Sequence, residues 1–238
     1  MVTLLAAMLI LLPAPALAQS LNLDLGDGAQ LSSRVIQFVA LLTVLSLAPS
    51  ILVMITSFTR IVIVLSLLRS ALGVQQTPPN TVLISLAMFL TFFIMGPVFE
   101  QAYQSGIAPL MNQEIDEFEA FDRTIKPFHG FMIRHVREKD LTTFTDMAKQ
   151  EIPDDVAETP LQVLVPAFIV SELRRAFEIG FLIFIPFIVI DMVVASVLMS
   201  MGMMMLPPIM IALPFKLVFF VLVDGWSLIT SSLVKSFG

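Results

Sequence analysis

The chain has 238 residues, 57% of them hydrophobic and only 13% charged, with a mean hydropathy of +0.93 and a formal net charge of -6. A soluble domain carries about 25% charged residues, so this balance points to a polytopic membrane protein. The absence of cysteine excludes disulfides, thiol catalysis and cysteine metal sites, and no basic surface is offered to nucleic acid.

Residues 1–18, MVTLLAAMLILLPAPALA, read as a signal peptide. An apolar core leads to Pro13 and Pro15 and then to the small-x-small site Ala16-Leu17-Ala18. The run before Pro13 is too short to span a bilayer, although an uncleaved first span is the alternative. Cleavage would leave a polar segment, 19–34, on the outer side. Residues 35–55 form the first predicted span, with a kink expected near Pro49. The following SFTRIVIVLSLLRSALG is a helix ended by Gly73 and the polar turn QQTPPN. Residues 57–80 hold Arg60 and Arg69 and no acid, which places them on the cytoplasmic side by the positive-inside rule. The two arginines either mark topology or pair with Glu172 or Glu178 in a packed assembly. Residues 81–99 form a second span, so 35–99 is a first helical hairpin.

Residues 100–160 carry thirteen acidic and six basic residues, whereas the rest of the chain has six and seven. The acidity is therefore local to one small insert, which the span order places in the periplasm. In it, Phe118, Phe121, Ile125, Phe128, Met132 and Val136 recur at three and four, the stripe of an amphipathic helix. Asp140 is expected to cap a second helix, 141–150, that buries Phe144 and Met147 or Ala148. So short an insert has no generous core and needs a partner, most economically a copy of itself. His129 and His135 are six residues apart, outside the HExxH pattern, and read as solvated or packing residues. Asp116, Glu117 and Glu119 read as a solvated face.

Residues 161–238 form a second hairpin with two predicted spans, joined by a loop, 199–208. A single helix over 165–200 would be about 54 Å long, longer than a bilayer, so it is expected to be kinked, tilted or projecting, with Pro186 a natural place for a break. The apolar runs carry Glu172, Arg174, Arg175, Glu178, Asp191, Lys216 and Asp224. Each such charge costs roughly 2.5–3.5 kcal/mol at mid-bilayer, which suggests helices packed against protein or water. Glu172 with Arg175, and Arg174 with Glu178, can pair along one helix. Lys216 and Asp224, two turns apart, are expected on one face, where they reach neighbouring subunits or serve a proton relay. The loop holds Met199, Met201, Met203, Met204 and Met205, followed by Pro207 and Pro208. Methionine is unbranched and adaptable, so this is a deformable apolar connection.

The strings FTRIVIVLSLLRSALGVQQTPPN, LTFFIMGP, IPFIVIDMVVASVLMSMGMMMLPP and LPFKLVFFVLVDGW resemble the FliP family of flagellar export-gate proteins, whose relatives serve type III secretion. The likeness covers essentially the whole chain. It implies an all-α membrane protein of kinked hairpins with a small helical periplasmic insert. It further implies assembly of five copies with FliQ and one FliR around a channel for unfolded flagellar subunits in the inner membrane, without a cofactor. The complex would sit largely out of the bilayer plane. By the same resemblance the methionine loop is the gasket of the pore. Lys216 is then a contact between subunits, and Arg60, Arg69, Glu172 and Glu178 add other buried contacts. The rival readings are a proton-coupled transporter using Glu178, Asp191 and Asp224, an intramembrane hydrolase, for which no nucleophile–base cluster is present, and a passive scaffold.

Overall fold

The computed structural model describes residues 35–36, 38–40, 42–43, 46–47, 50–51, 53–74, 76–149, 158–203 and 207–238. The expected leader, the segment 19–34, the kink at Pro49, and Met204 and Met205 lie outside them. The described residues between 35 and 47 are helical. Residues Ala48–Gly238 form one compact unit.

Seven principal helices follow in order: α1 (Phe58–Leu72), α2 (Asn80–Ala102), α3 (Glu117–His135), α4 (Glu138–Met147), α5 (Leu161–Ser200), α6 (Pro208–Leu222) and α7 (Gly225–Lys235). There is no strand among the described residues, so the all-α expectation holds. α1 ends where expected, at Gly73, whose φ of 79° closes the last turn. α2 runs on through a π-helical turn, Tyr103–Ile107, and one more turn, Ala108–Met111.

Prolines break fewer helices than expected. Pro97, Pro127, Pro166, Pro186 and Pro214 all lie inside helices. The predicted break at Pro186 is not an interruption: α5 is one helix of 40 residues, about 60 Å long. A proline removes a single backbone bond, and in an apolar setting small local adjustments satisfy the freed carbonyl. The real break lies elsewhere, between α6 and α7, which meet at 62°. Asp224 sits there in a left-handed conformation, φ 49°. Lys216 and Asp224 are therefore not on one helical face, because α6 stops at Leu222.

Two apolar cores hold the unit together. The first gathers Val64, Leu65 and Leu68 of α1, Leu83 and Ala87 of α2, Ala176 and Phe187 of α5, Phe220 of α6, and Ile229 and Leu233 of α7. The helices α1 and α5 cross closely because position 180 lacks a side chain. A Cβ on Gly180 would stand 2.2 Å from Leu67 Cδ1 and 3.2 Å from its Cβ. The second core joins Met95 and Val98 of α2 to Phe128, Phe131 and Met132 of α3, Leu141 of α4, and Leu164, Ala167 and Phe168 of α5. The insert thus builds its core against the ends of its own chain's long helices.

This corrects the predicted stripes. On α3 the buried residues are Ala120, Phe128, Phe131 and Met132, while Phe118 is 88% exposed and Phe121 67% exposed. The spacing is helical, but in the first turns of α3 the covered side is that of Ala120, which meets the π-helical turn at Gly106, and the side bearing Phe118 and Phe121 is left bare among the described residues. On α4 the helix starts earlier than expected, and Leu141 and Thr145 are buried while Met147 and Ala148 are exposed. Asp140 does not cap it; its carboxylate accepts a hydrogen bond from the Ser171 hydroxyl at 2.7 Å, tying α4 to α5.

Among the described residues, Asn80–Met111 and α5 are long and apolar enough to cross a membrane, with mean hydropathies of 2.3 and 2.7, and the bent pair α6–α7 qualifies as a broken third span. Eight of the ten buried residues of α5 lie at or before Gly180. Its first half is packed into protein, and its second half carries a largely bare apolar surface toward the methionine turn.

Candidate gate loop and its polar anchors

The charges in the apolar runs divide into buried anchors and exposed pairs. Arg60 and Glu172 both have fully buried side chains. Arg60 Nε donates to Glu172 Oε2 at 2.8 Å and Nη2 to Oε1 at 2.5 Å, a two-pronged pair between α1 and α5. Arg60 Nη1 donates to the Ser236 carbonyl at 3.0 Å and to its hydroxyl at 2.9 Å. The guanidinium carbon lies 3.6 Å from the centroid of the Phe237 ring. Each of its three nitrogens thereby has an acceptor, which burial of a cation demands. A planar fork suits the task better than an ammonium would.

Lys216 is the second anchor. Its Nζ donates to Asp191 Oδ2 at 2.6 Å and to the Ala71 carbonyl at 3.2 Å. It therefore ties α6 to α5 and to a buried carbonyl in the last turn of α1, where a cation also suits the helix dipole. Asp191 Oδ1 is buried and has no hydrogen-bond donor among the described residues.

The remaining charges are placed differently. Arg69 closes the α1–α2 connection, donating to Asn80 Oδ1 at 2.5 Å and to the Pro78 carbonyl at 3.3 Å. Arg174 and Glu178 pair along α5 at 2.8 Å, as expected, but both are more than half exposed. Glu172 turns to Arg60 rather than to Arg175, whose Nε is buried without an acceptor among the described residues. Asp224 is exposed at the α6–α7 break. Neither histidine is near a metal-binding cluster among the described residues. His129 Nε2 meets the Thr159 carbonyl at 2.8 Å, and His135 Nδ1 meets that of Phe131 at 2.8 Å.

Sequence reasoning missed Ser236 and Phe237. They lie 176 residues or more from Arg60, and nothing in their local pattern marks them. Phe237 also stacks on Phe131 with centroids 6.0 Å apart, so the same residue reaches the insert.

The methionine loop begins with a tightly made turn. Gly202 has φ 72°, its N–H donates to the Met199 carbonyl at 3.1 Å, and the Met203 N–H reaches back to Leu198 at 3.0 Å. This six-to-one and five-to-two pairing ends a helix with the residue in left-handed geometry, which favours glycine. Met199, Met201 and Met203 are all exposed at this turn.

An all-helical membrane subunit emerges, with Arg60, Glu172 and Lys216 tied inward and an apolar methionine turn left bare at the end of its longest helix: the architecture of a channel-building component. The model of the FliP family matches residues 41–233, and the chain belongs to that family. It is similar to the flagellar biosynthetic protein FliP of Caulobacter vibrioides, 61% identical over 228 residues that cover 95% of this chain and 86% of that protein. It resembles that of Bacillus subtilis at 56% over 86% of this chain and 93% of the relative, and that of Agrobacterium fabrum at 50% over 97% and 96%. The chain is accordingly a core component of the flagellar type III export gate in the inner membrane, a channel subunit and not an enzyme, working with other gate components to pass its substrates.

Proposed function

We propose that Met199, Met201, Met203, Met204 and Met205 form a compliant seal across the protein-conducting channel. The carrying observation is the uncovered methionine turn at the tip of the α5–α6 hairpin. Thioether side chains fill an irregular gap by changing rotamer. Loops from several copies, meeting on an axis, exclude hydrated ions by apolar constriction and yield to an unfolded strand. Five copies, assembled with FliQ and one FliR, supply the ring. Residues 100–160 face the periplasm, and residues 1–18 are a cleaved leader.

The polar groups have two tasks in this reading. Arg60, Glu172, Asp191 and Lys216 hold each hairpin in shape, and Lys216 lies beside the subunit boundary. The exposed pair Arg174 and Glu178, together with the exposed Asp224, set register between subunits, whereas the Nε of Arg175 is buried inside the chain.

The seal is tested by replacing Met203, Met204 and Met205 with alanine and measuring ion conductance of membranes that contain the assembled complex. Conductance rises while the subunit composition stays the same. An intact complex with no added conductance refutes the seal.

A further inference from the structure

The insert carries two surfaces that its own chain leaves unmatched. One is the start of α3. Phe118 and Phe121 are exposed there, and Glu114 and Glu117 are exposed beside them with no cation in ion-pair range among the described residues. The other is a groove of about 600 Å³ between the end of α2 and the middle of α3. Gln101 and Gln104 line one wall, and Arg123, Lys126, Gly130 and Arg134 the other. Three of the six basic residues of this acidic insert line the groove, and among the described residues no carboxylate does. Arg123 and Lys126 hold Glu119 and Asp122 of the preceding turn in exposed pairs, and Arg134 has no carboxylate in range among the described residues. Exposed pairs of that kind are weak and exchange readily. Position 130 is open: a Cβ there would meet nothing within 4 Å.

We propose that the acidic, aromatic tip of one insert docks in the basic groove of the next copy of the chain. The charges are complementary, and Phe118 supplies the apolar anchor over the gap at Gly130. Counting 3.6 residues per turn, Phe118 and Phe121 lie on roughly the opposite side of α3 from the basic row. A contact between unlike faces is heterologous, and it propagates around a ring rather than stopping at a dimer. The inference rests on the reading that several copies assemble, and it names where their inserts meet.

Because the chain has no cysteine, the contact is open to cross-linking. Phe118→Cys and Gly130→Cys in one chain sit about 18 Å apart along α3, too far for an internal disulfide. Oxidation of membranes holding the assembled gate is expected to give a ladder of linked multimers, and either single variant none. No ladder, with native mass spectrometry showing several copies of the chain in an intact complex, overturns this contact alone; a wild-type complex with one copy removes the assembly reading beneath it. Dimers from Phe118→Cys alone show like faces meeting and also overturn it. Arg134→Glu is expected to lower recovered complex about tenfold, and adding Glu117→Arg to restore it, since opposed charges set register across interfaces; no loss, or loss without rescue, counts against the proposal. A maleimide probe on Gly130→Cys provides the last arm. Protection in the lipid-free complex supports a protein occupant. Protection only with phosphatidylglycerol vesicles assigns the groove to a lipid phosphate and overturns the docking.

Discussion

Arg60 shows how a charge is kept in an apolar helix. Its two bonds to Glu172, two to Ser236 and the ring of Phe237 replace the water it has lost. Deleting one member is costly, because the other charge stays buried. Glu172→Ala should destabilise the subunit by about 3–5 kcal/mol. Glu172→Gln keeps the shape and one acceptor and should cost less. Replacing both partners, Arg60→Met with Glu172→Leu, should recover much of the loss, since no unpaired charge remains. Thermal unfolding of the detergent-solubilised complex ranks the variants, and equal melting of the Ala and Gln forms would show that the charge is solvated after all. The sequence offered Arg60 with Glu172 as one of two readings, because a lone basic residue in an apolar run must either mark topology or find an acid. It could not offer Ser236 or Phe237, whose partners are chosen by the fold and not by local spacing.

At the scale of elements, helix ends were more legible than helix faces. Gly73 and the Gly202 turn stop α1 and α5 through backbone geometry that few other residues adopt, and such a cause is local. Pro186 is not the break it could have been, because the cost of one lost bond is outweighed by the backbone bonding of the turns around it. The α3 stripe failed for another reason. Periodicity says which residues share a face, but not which part of that face is covered, and in the first turns of α3 the cover lies over Ala120 and not over Phe118 and Phe121. The close crossing of α1 and α5 has a sharper test. Gly180→Ala drives a methyl into Leu67 and should cost about 1–3 kcal/mol, the usual range for overpacking. Adding Leu67→Ala opens the space and should return most of that stability. If the double variant melts no higher than Gly180→Ala alone, the crossing distance is set elsewhere.

For the whole molecule, the question is which polar contacts shape one subunit and which join subunits. Lys216 was expected between subunits from the resemblance, yet within one chain it already reaches Asp191 and the Ala71 carbonyl. The ammonium has three protons, so one donor is left over, as is the buried Oδ1 of Asp191. The anchor is therefore complete enough to hold α6 against α1 and α5, and the Asp191 side chain, 31% exposed, is the member of it that a neighbour can reach. Two variants separate these roles. Lys216→Ala strands a partly buried carboxylate and should weaken both the hairpin and the assembly. Lys216→Met combined with Asp191→Leu removes both charges and keeps the volume, so the hairpin should refold around an apolar contact. If Lys216 acts only inside the subunit, the double variant assembles like the parent. If it also reaches across, the double variant keeps its helices and melting temperature as an isolated subunit but yields fewer complete complexes by native mass spectrometry. The second result is the expected one, because the Asp191 side chain stays partly exposed beside the anchor and a neighbouring chain is what the bare second half of α5 is shaped to receive.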